Sequence, residues 1–212
     1  MNLLDTLRTH RLLAIVRGDD PTAALATVLT LADSGVNLIE VSLTSTDAYG
    51  VISRARAALG AGYALGAGTV LTAEQAGQAA EAGATYLVTP AVAPSLEEAG
   101  RLGLPVLAGA LTPTEVVQAT TAGAAAIKLF PASIGGPEYL RALRDPFPRT
   151  PFVPVGGVDA AGARSYLDRG AVAVGVGSPL LGDAVRGGDL DALRKRVADF
   201  LVAVAAAPGA AS

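Results

Sequence analysis

Short apolar runs alternate with longer Ala- and Leu-rich stretches of helical period along almost the whole chain. The runs do not alternate apolar with polar, which is the pattern of parallel strands covered on both faces. Glycine marks each switch: Ser34–Gly35–Val36, Ala82–Gly83–Ala84, Leu102–Gly103–Leu104, Ala122–Gly123–Ala124 and Arg169–Gly170–Ala171 all end a helix-period stretch and precede an apolar run. Glycine there suits the left-handed position that stops a helix. The pattern predicts strands at 12–17, 37–43, 63–68, 85–89, 104–108, 125–130, 152–156 and 171–176. It predicts helices near 21–34, 47–59, 73–82, 94–102, 113–122, 137–144, 160–169 and 190–206. Asp20–Pro21 and Thr112–Pro113 put a cap before proline, and Thr72 has Gln75 three residues on, as helix starts do. About eight β-then-α units predict an α/β fold, a compact (β/α)8 or TIM barrel forming one domain over residues 1–212. The alternative is an open doubly wound sheet, which usually has a Gly-rich loop after its first strand; Arg17–Gly18–Asp19 is not one. The tail Ala205–Ser212 reads as a frayed end.

Composition narrows the chemistry. With 212 residues, 51% of them hydrophobic and 17% charged, the chain is expected to bury a substantial core. A net charge of -3 argues against nucleic acid as the main partner. The absence of cysteine excludes disulfides, iron–sulfur clusters and thiolate chemistry. The only histidine, His10, excludes a zinc site with several His or Cys ligands, and it lies in a charged N-terminal stretch where it would not serve a Ser–His–Asp triad. An all-carboxylate magnesium site stays open. Leu3 and Leu4 are followed at once by Asp5, Arg8 and Arg11, which is no signal-peptide pattern. No apolar run reaches the ~18 residues of a membrane span. The expectation is a cytoplasmic protein with no membrane partner.

One residue stands out against this background. Of the 16 Lys and Arg residues only Lys128 and Lys195 are lysines, and Lys128 sits inside the apolar run Ala125–Ala126–Ile127–Lys128–Leu129–Phe130. Burial lowers a lysine pKa and yields a free amine, which attacks ketones to form Schiff bases. The alternative is a lysine whose stem packs while its head reaches a salt bridge. Glu40, in Leu38–Ile39–Glu40–Val41, is a second charge in an apolar strand. Strand parity puts Glu40, Ser42 and Thr44 on one face, and Ala126, Lys128 and Phe130 on one face. In a barrel both charges project into the interior near the mouth. There they form either a structural ion pair or an amine nucleophile with a general acid/base.

Barrel chemistry sits at the C-terminal ends of the strands. Those ends carry Arg17, Glu40 with Thr44, Gly66–Ala67–Gly68–Thr69, Thr89–Pro90, Lys128, Gly156–Gly157 and Gly175–Val176–Gly177–Ser178. The glycine turns after the seventh and eighth strands occupy the usual phosphate position of this fold, or are plain strand exits. Arg17 holds a carboxylate or phosphate as a fork, or caps the rim.

Taken in order, Ile39–Glu40–Val41, Gly66–Ala67–Gly68–Thr69–Val70, Val88–Thr89–Pro90, Lys128–Leu129–Phe130–Pro131 and Val155–Gly156–Gly157–Val158 resemble the 2-keto-3-deoxy-6-phosphogluconate aldolase family, which includes the 6-phosphogalactonate and 4-hydroxy-2-oxoglutarate aldolases. The resemblance spans nearly the whole chain. It implies a cofactor-free class I aldolase, usually a homotrimer, acting on a small keto-deoxy-phospho sugar acid. Lys128 matches the Schiff-base lysine and Glu40 the general acid/base. Gly68 and Thr69 match the pyruvate carboxylate site. Thr89, Pro90 and Phe130 match the pocket wall around the imine, and Gly156, Gly157, Gly177 and Ser178 match the phosphate turns. Thr44 stands where gluconate-type enzymes often carry Arg, and Arg17 resembles the arginine of galactonate-type members. Val155 is apolar, as in the galactonate type. By contrast, Leu111–Thr112–Pro113–Thr114–Glu115 and Gly175–Val176–Gly177–Ser178 look like some gluconate-type members. The rival readings are a 4-hydroxy-2-oxoglutarate aldolase on the same scaffold and a barrel that binds a phosphorylated ligand without chemistry.

Overall fold

A computed structural model of the chain describes residues 2–205. The predicted frayed end beyond Ala205, and the predicted last residue of the final helix, lie outside the described residues. Eight parallel strands run in the order β7-β6-β5-β4-β3-β2-β1-β8. They are β1 (Leu12–Val16), β2 (Leu38–Ser42), β3 (Ala64–Gly68), β4 (Leu87–Val88), β5 (Val106–Ala110), β6 (Ala126–Leu129), β7 (Phe152–Pro154) and β8 (Val174–Val176). A bridge between Val155 and Gly175, with the Val172 N–H donating to the Phe152 carbonyl at 3.0 Å, closes β7 on β8. The barrel is therefore the predicted one, nearly closed and in one domain.

Helices α2 (Pro21–Asp33), α3 (Ala48–Leu59), α4 (Ala73–Glu81), α5 (Ser95–Arg101), α6 (Pro113–Thr121), α7 (Gly136–Arg144), α8 (Ala160–Asp168) and α10 (Leu190–Val204) match the predicted ones within two residues at each end. Their local signals act as read. The Asp20 carboxylate accepts from the N–H groups of Thr22 and Ala23, and Thr72 with Gln75 and Thr112 with Glu115 form capping boxes. Gly35, Gly83, Gly103, Gly123 and Gly170 all have φ between 69° and 99°, the conformation expected where these helices stop.

Three elements were not predicted. Helix α1 (Leu3–His10) precedes the barrel, capped by the Asn2 side chain, which accepts from the Leu4 and Asp5 N–H groups. Its buried Leu3 and Leu7 pack into the barrel interior with Leu13, Leu38 and Ala173. His10 is thus the end of a plug helix rather than part of an unstructured charged stretch. A four-residue helix, α9 (Ser178–Leu181), and a 3₁₀ turn (Ala184–Arg186) follow β8. Several strand ends also differ from prediction. The β5 ladder starts at Val106 because Pro105 has no N–H, while β7 ends at Pro154 with Val155 beyond it still donating to the Leu129 carbonyl at 3.0 Å. Around β4 only two residues keep ladder geometry, so the predicted strand at 85–89 shrinks to Leu87–Val88.

Strand parity divides the core in two. Leu12, Ala14, Ile39, Val41, Ile127 and Leu129 face the helices. Leu13, Ile15, Leu38, Tyr86, Leu107 and Val153 fill the lumen. Burying both faces explains why the strand sequences read as continuous apolar runs. Gly109 tests how tightly the lumen is packed. An added Cβ there would lie 2.2 Å from the Pro90 carbonyl carbon, a backbone atom that cannot swing aside. Gly109→Ala is expected to destabilise the fold by ~2 kcal/mol or more through overpacking. Urea denaturation measures this; a variant of unchanged stability would mean that the Pro90 turn yields freely. Among the described residues no helix is long and apolar enough to cross a membrane.

Candidate active site

Lys128 and Glu40 enter the lumen from opposite sides of the barrel, on β6 and β2. Ala126 and Leu107 lie in the same interior layer stack as Lys128, while Ile127 and Leu129 turn outward to the helices. Lys128 is 4% exposed and Glu40 1%. No ion pair joins them among the described residues, and Glu40 Oε2 is buried with no hydrogen-bond partner. A structural ion pair at contact distance, one of the two sequence readings, is therefore not what the barrel holds.

Electrostatics set both groups toward their neutral forms. Burial pushes the Lys128 pKa below that of an ordinary lysine; the Glu40 charge opposes this and the Arg17 guanidinium adds to it. Burial pushes the Glu40 carboxyl above the usual carboxylate range, against the pull of Lys128 and Arg17. A buried amine that readily loses its proton and a buried carboxyl that readily keeps one suit nucleophilic attack and proton return. Gly68 shapes this site. An added Cβ there would lie 2.5 Å from Glu40 Oε1, so the carboxylate rests against the β3 backbone where only glycine leaves room.

The Lys128 amine lies 5.0 Å from the centre of the Phe130 ring. Phe130, 37% exposed, opens onto a cavity of about 270 Å³ at the strand C-terminal ends. Arg17, Phe130, Val155, Gly156, Gly157, Gly177 and Ser178, seven of the residues singled out from sequence, line this one cavity. The backbone N–H groups of Gly156, Gly157, Gly177 and Ser178 donate to no described residue. Gly156 and Gly157 have φ of 101° and 76°, conformations that leave glycine strongly preferred. Four N–H donors without a described acceptor thus line one concavity with the guanidinium of Arg17, a donor set of the kind that anion recognition uses.

A hydroxyl cluster adjoins it. Ser42 Oγ lies 2.9 Å from Thr44 Oγ1 and 3.0 Å from Thr69 Oγ1, and Arg17 Nε donates to Ser42 Oγ at 3.4 Å. Thr69 has φ of 62°, a strained conformation for a β-branched residue, held at the exit of β3. Thr89 is placed differently from the others. It shares the outward parity of Leu87, and its hydroxyl donates to the Ala91 carbonyl at 2.7 Å and accepts from the Gly109 N–H at 3.3 Å. It shapes the turn that carries Pro90 and offers no free group to the lumen.

Two residues escaped the sequence reading of the site. Ser42 links Arg17 to both threonines, and its parity with Glu40 was the available signal. Arg186, in the 3₁₀ turn, lines the cavity as a second cation beside Arg17. It lies outside every predicted strand end, so no local pattern pointed to it.

Comparison with known proteins agrees with this arrangement. The family model described as KDPG and KHG aldolase matches residues 3–196. The 2-dehydro-3-deoxy-6-phosphogalactonate aldolase of Escherichia coli is 37% identical over 171 residues, 80% of this chain and 83% of that protein. The KHG/KDPG aldolase of the same organism is 35% identical over 168 residues, 78% of each chain. A solved structure described as native KDPGal superposes with a TM-score of 0.85 at 34% identity, covering 91% of this chain and 93% of that one. With the family pattern running through both the barrel and its mouth, the chain belongs to the KDPG and KHG aldolase family, whose members are carbon–carbon lyases.

Proposed function

We propose that this enzyme cleaves a 2-dehydro-3-deoxy-6-phospho sugar acid to pyruvate and D-glyceraldehyde 3-phosphate, with Lys128 as nucleophile and Glu40 as general acid/base. The observation that carries the reading is a buried amine of lowered pKa sharing the barrel mouth with a buried, unpartnered carboxylate. Neutral Lys128 Nζ attacks the C2 ketone, and loss of water leaves a protonated imine. The Glu40 carboxylate takes the C4 hydroxyl proton as the C3–C4 bond breaks. The bonding electrons flow into the imine and give the enamine of pyruvate, while the aldehyde departs. Glu40 returns its proton to C3, and water hydrolyses the imine to free pyruvate and the amine.

The remaining residues divide the substrate between them. Gly68 and Thr69 meet the carboxylate. Phe130, Pro90 and Val155 wall the imine, with Thr89 holding the turn. The free N–H groups of Gly156, Gly157, Gly177 and Ser178 receive the phosphate, with Arg17 and Arg186 supplying positive charge. Val155 and Arg17 both line the cavity, and Thr44 leaves no cation on the β2 side, which supports the galactonate configuration at C4. Pyruvate release from the galactonate- and gluconate-configured substrates, measured side by side, tests this. Faster release from the galactonate form is expected. Equal or reversed rates would overturn the epimer assignment, and release only from 4-hydroxy-2-oxoglutarate would overturn the phosphorylated substrate.

The pH profile tests the electrostatics. The Arg17 charge holds down the pKa values of both Lys128 and Glu40. Both must be deprotonated for attack and proton removal. Arg17→Ala is therefore expected to move the acid limb of kcat/KM to higher pH, by up to about one pH unit. An unmoved limb would separate Arg17 from the reacting pair. On family resemblance we also place the enzyme in the cytoplasm as a homotrimer. Light scattering at three chain masses is the expected result, and a monomer mass would contradict it.

A further inference from the structure

Three neighbouring strands put Glu40, Gly66 and Tyr86 at one level of the lumen. Glu40 pairs in register with Gly66, and the pairing of Ala67 with Leu87 places Tyr86 next beyond Gly66. A Cβ added to Gly66 would lie 2.4 Å from Tyr86 Cε2 and Cζ. The phenol ring therefore crosses over β3 through the space that Gly66 leaves, and Cζ carries the hydroxyl toward β2. From the other side Glu40 leans over the same strand, its Oε1 2.5 Å from where a Gly68 Cβ would be. Adjacent strands lie ~4.8 Å apart, so these two side chains together span the ~10 Å between β2 and β4.

Both residues are sealed from solvent, Glu40 at 1% and Tyr86 at 0% exposure. Glu40 Oε2 and the Tyr86 hydroxyl are each buried without a hydrogen-bond partner among the described residues. Two such atoms reaching over one strand are costly unless something joins them. The Glu40 charge also raises the Tyr86 pKa, on top of burial, so the two groups interact. They make no direct hydrogen bond to each other, and a buried water is the usual group that joins two such atoms.

We propose that Tyr86 is a positioning residue for Glu40: its hydroxyl donates to one buried water, which donates in turn to Glu40 Oε2 and fixes the carboxylate for proton transfer. The effect on catalysis rests on the Schiff-base reading above. A donor to the carboxylate favours its ionised form, so Tyr86 holds the Glu40 pKa lower than burial alone would leave it. Lys128 from β6 and Arg17 beyond β1 act on Glu40 in the same direction, and Tyr63 acts on Tyr86. Nothing in Thr85–Tyr86–Leu87–Val88 distinguishes this tyrosine from an ordinary core aromatic.

Tyr86→Phe keeps the ring and removes the hydroxyl. The expected variant melts at the wild-type temperature, is trapped with pyruvate by borohydride as wild type is, and keeps its KM. Its kcat falls ~10-fold, and the acid limb of kcat moves up by about half to one pH unit. A merely structural tyrosine would leave that limb in place. Incorporating 3-fluorotyrosine at position 86 gives a more acidic phenol, which should move the limb to lower pH, and serves as the test if the phenylalanine variant unfolds. A wild-type limb and kcat in Tyr86→Phe, or an unmoved limb with fluorotyrosine, overturns the proposal while pyruvate trapping stands. Failure of wild-type enzyme to trap pyruvate overturns the Lys128 reading, and this proposal with it.

Discussion

Lys128→Met is expected to abolish pyruvate release, by on the order of 10⁴-fold or more, while the barrel stays folded with equal or greater stability. Methionine fills much of the volume of the lysine stem and carries neither charge nor nucleophile. The stability arm follows from the direction of the pKa shift. Lys128 has a lower pKa in the folded chain than when unfolded. At a pH below its folded pKa the amine is charged in both states, and the fold bears the full cost of burying it. That cost fades as pH rises from the folded pKa toward the unfolded one, because the unfolded chain then binds more protons. Wild-type stability should therefore gain on the variant as pH rises through that window. The gain has one offset, since removing the Lys128 charge also removes an influence that lowers the Glu40 pKa. Circular dichroism melts across pH, set beside turnover, check both arms. A variant that unfolds outright would instead make Lys128 a structural residue.

Glu40→Gln is expected to lower turnover by ~10² to 10³-fold while leaving imine formation intact. The amide is nearly isosteric with the carboxylate, so its fit against Gly68 is kept. It cannot take the C4 proton or return one to C3. Losing the Glu40 charge removes the influence that raises the Lys128 pKa, so the amine becomes neutral at lower pH and pyruvate imine formation should extend toward acid. Trapping and turnover thus move in opposite directions in one variant. Unchanged turnover would remove Glu40 from the mechanism, and loss of trapping would make it a support for Lys128 rather than a proton carrier.

The barrel was legible because its signals are local and repeated. Five helix stops carry a glycine at positive φ, and the strands are largely apolar on both faces because both faces are covered. Where β5 starts late, Pro105 lacks the N–H that would extend its ladder. Helix α1 was missed because only Leu3 and Leu7 of its short, charged sequence are buried, and their partners include residues distant in the chain such as Leu38 and Ala173. In the site, Lys128 and Glu40 were legible as charges in apolar runs. Ser42, Arg186 and the outward turn of Thr89 were not. Ser42 matters through neighbours on other strands, Arg186 through a short turn with no periodic pattern, and Thr89 through hydrogen bonds to backbone that no local spacing encodes.

The proposed mechanism requires covalent chemistry at one amine. Incubating the enzyme with pyruvate and sodium borohydride, followed by peptide mass spectrometry, reads it directly. The expected result is a mass increase of about 72 Da, that of a reduced pyruvate imine, on Lys128 and not on Lys195. An unmodified Lys128, in protein that is folded and turning over substrate, would contradict it.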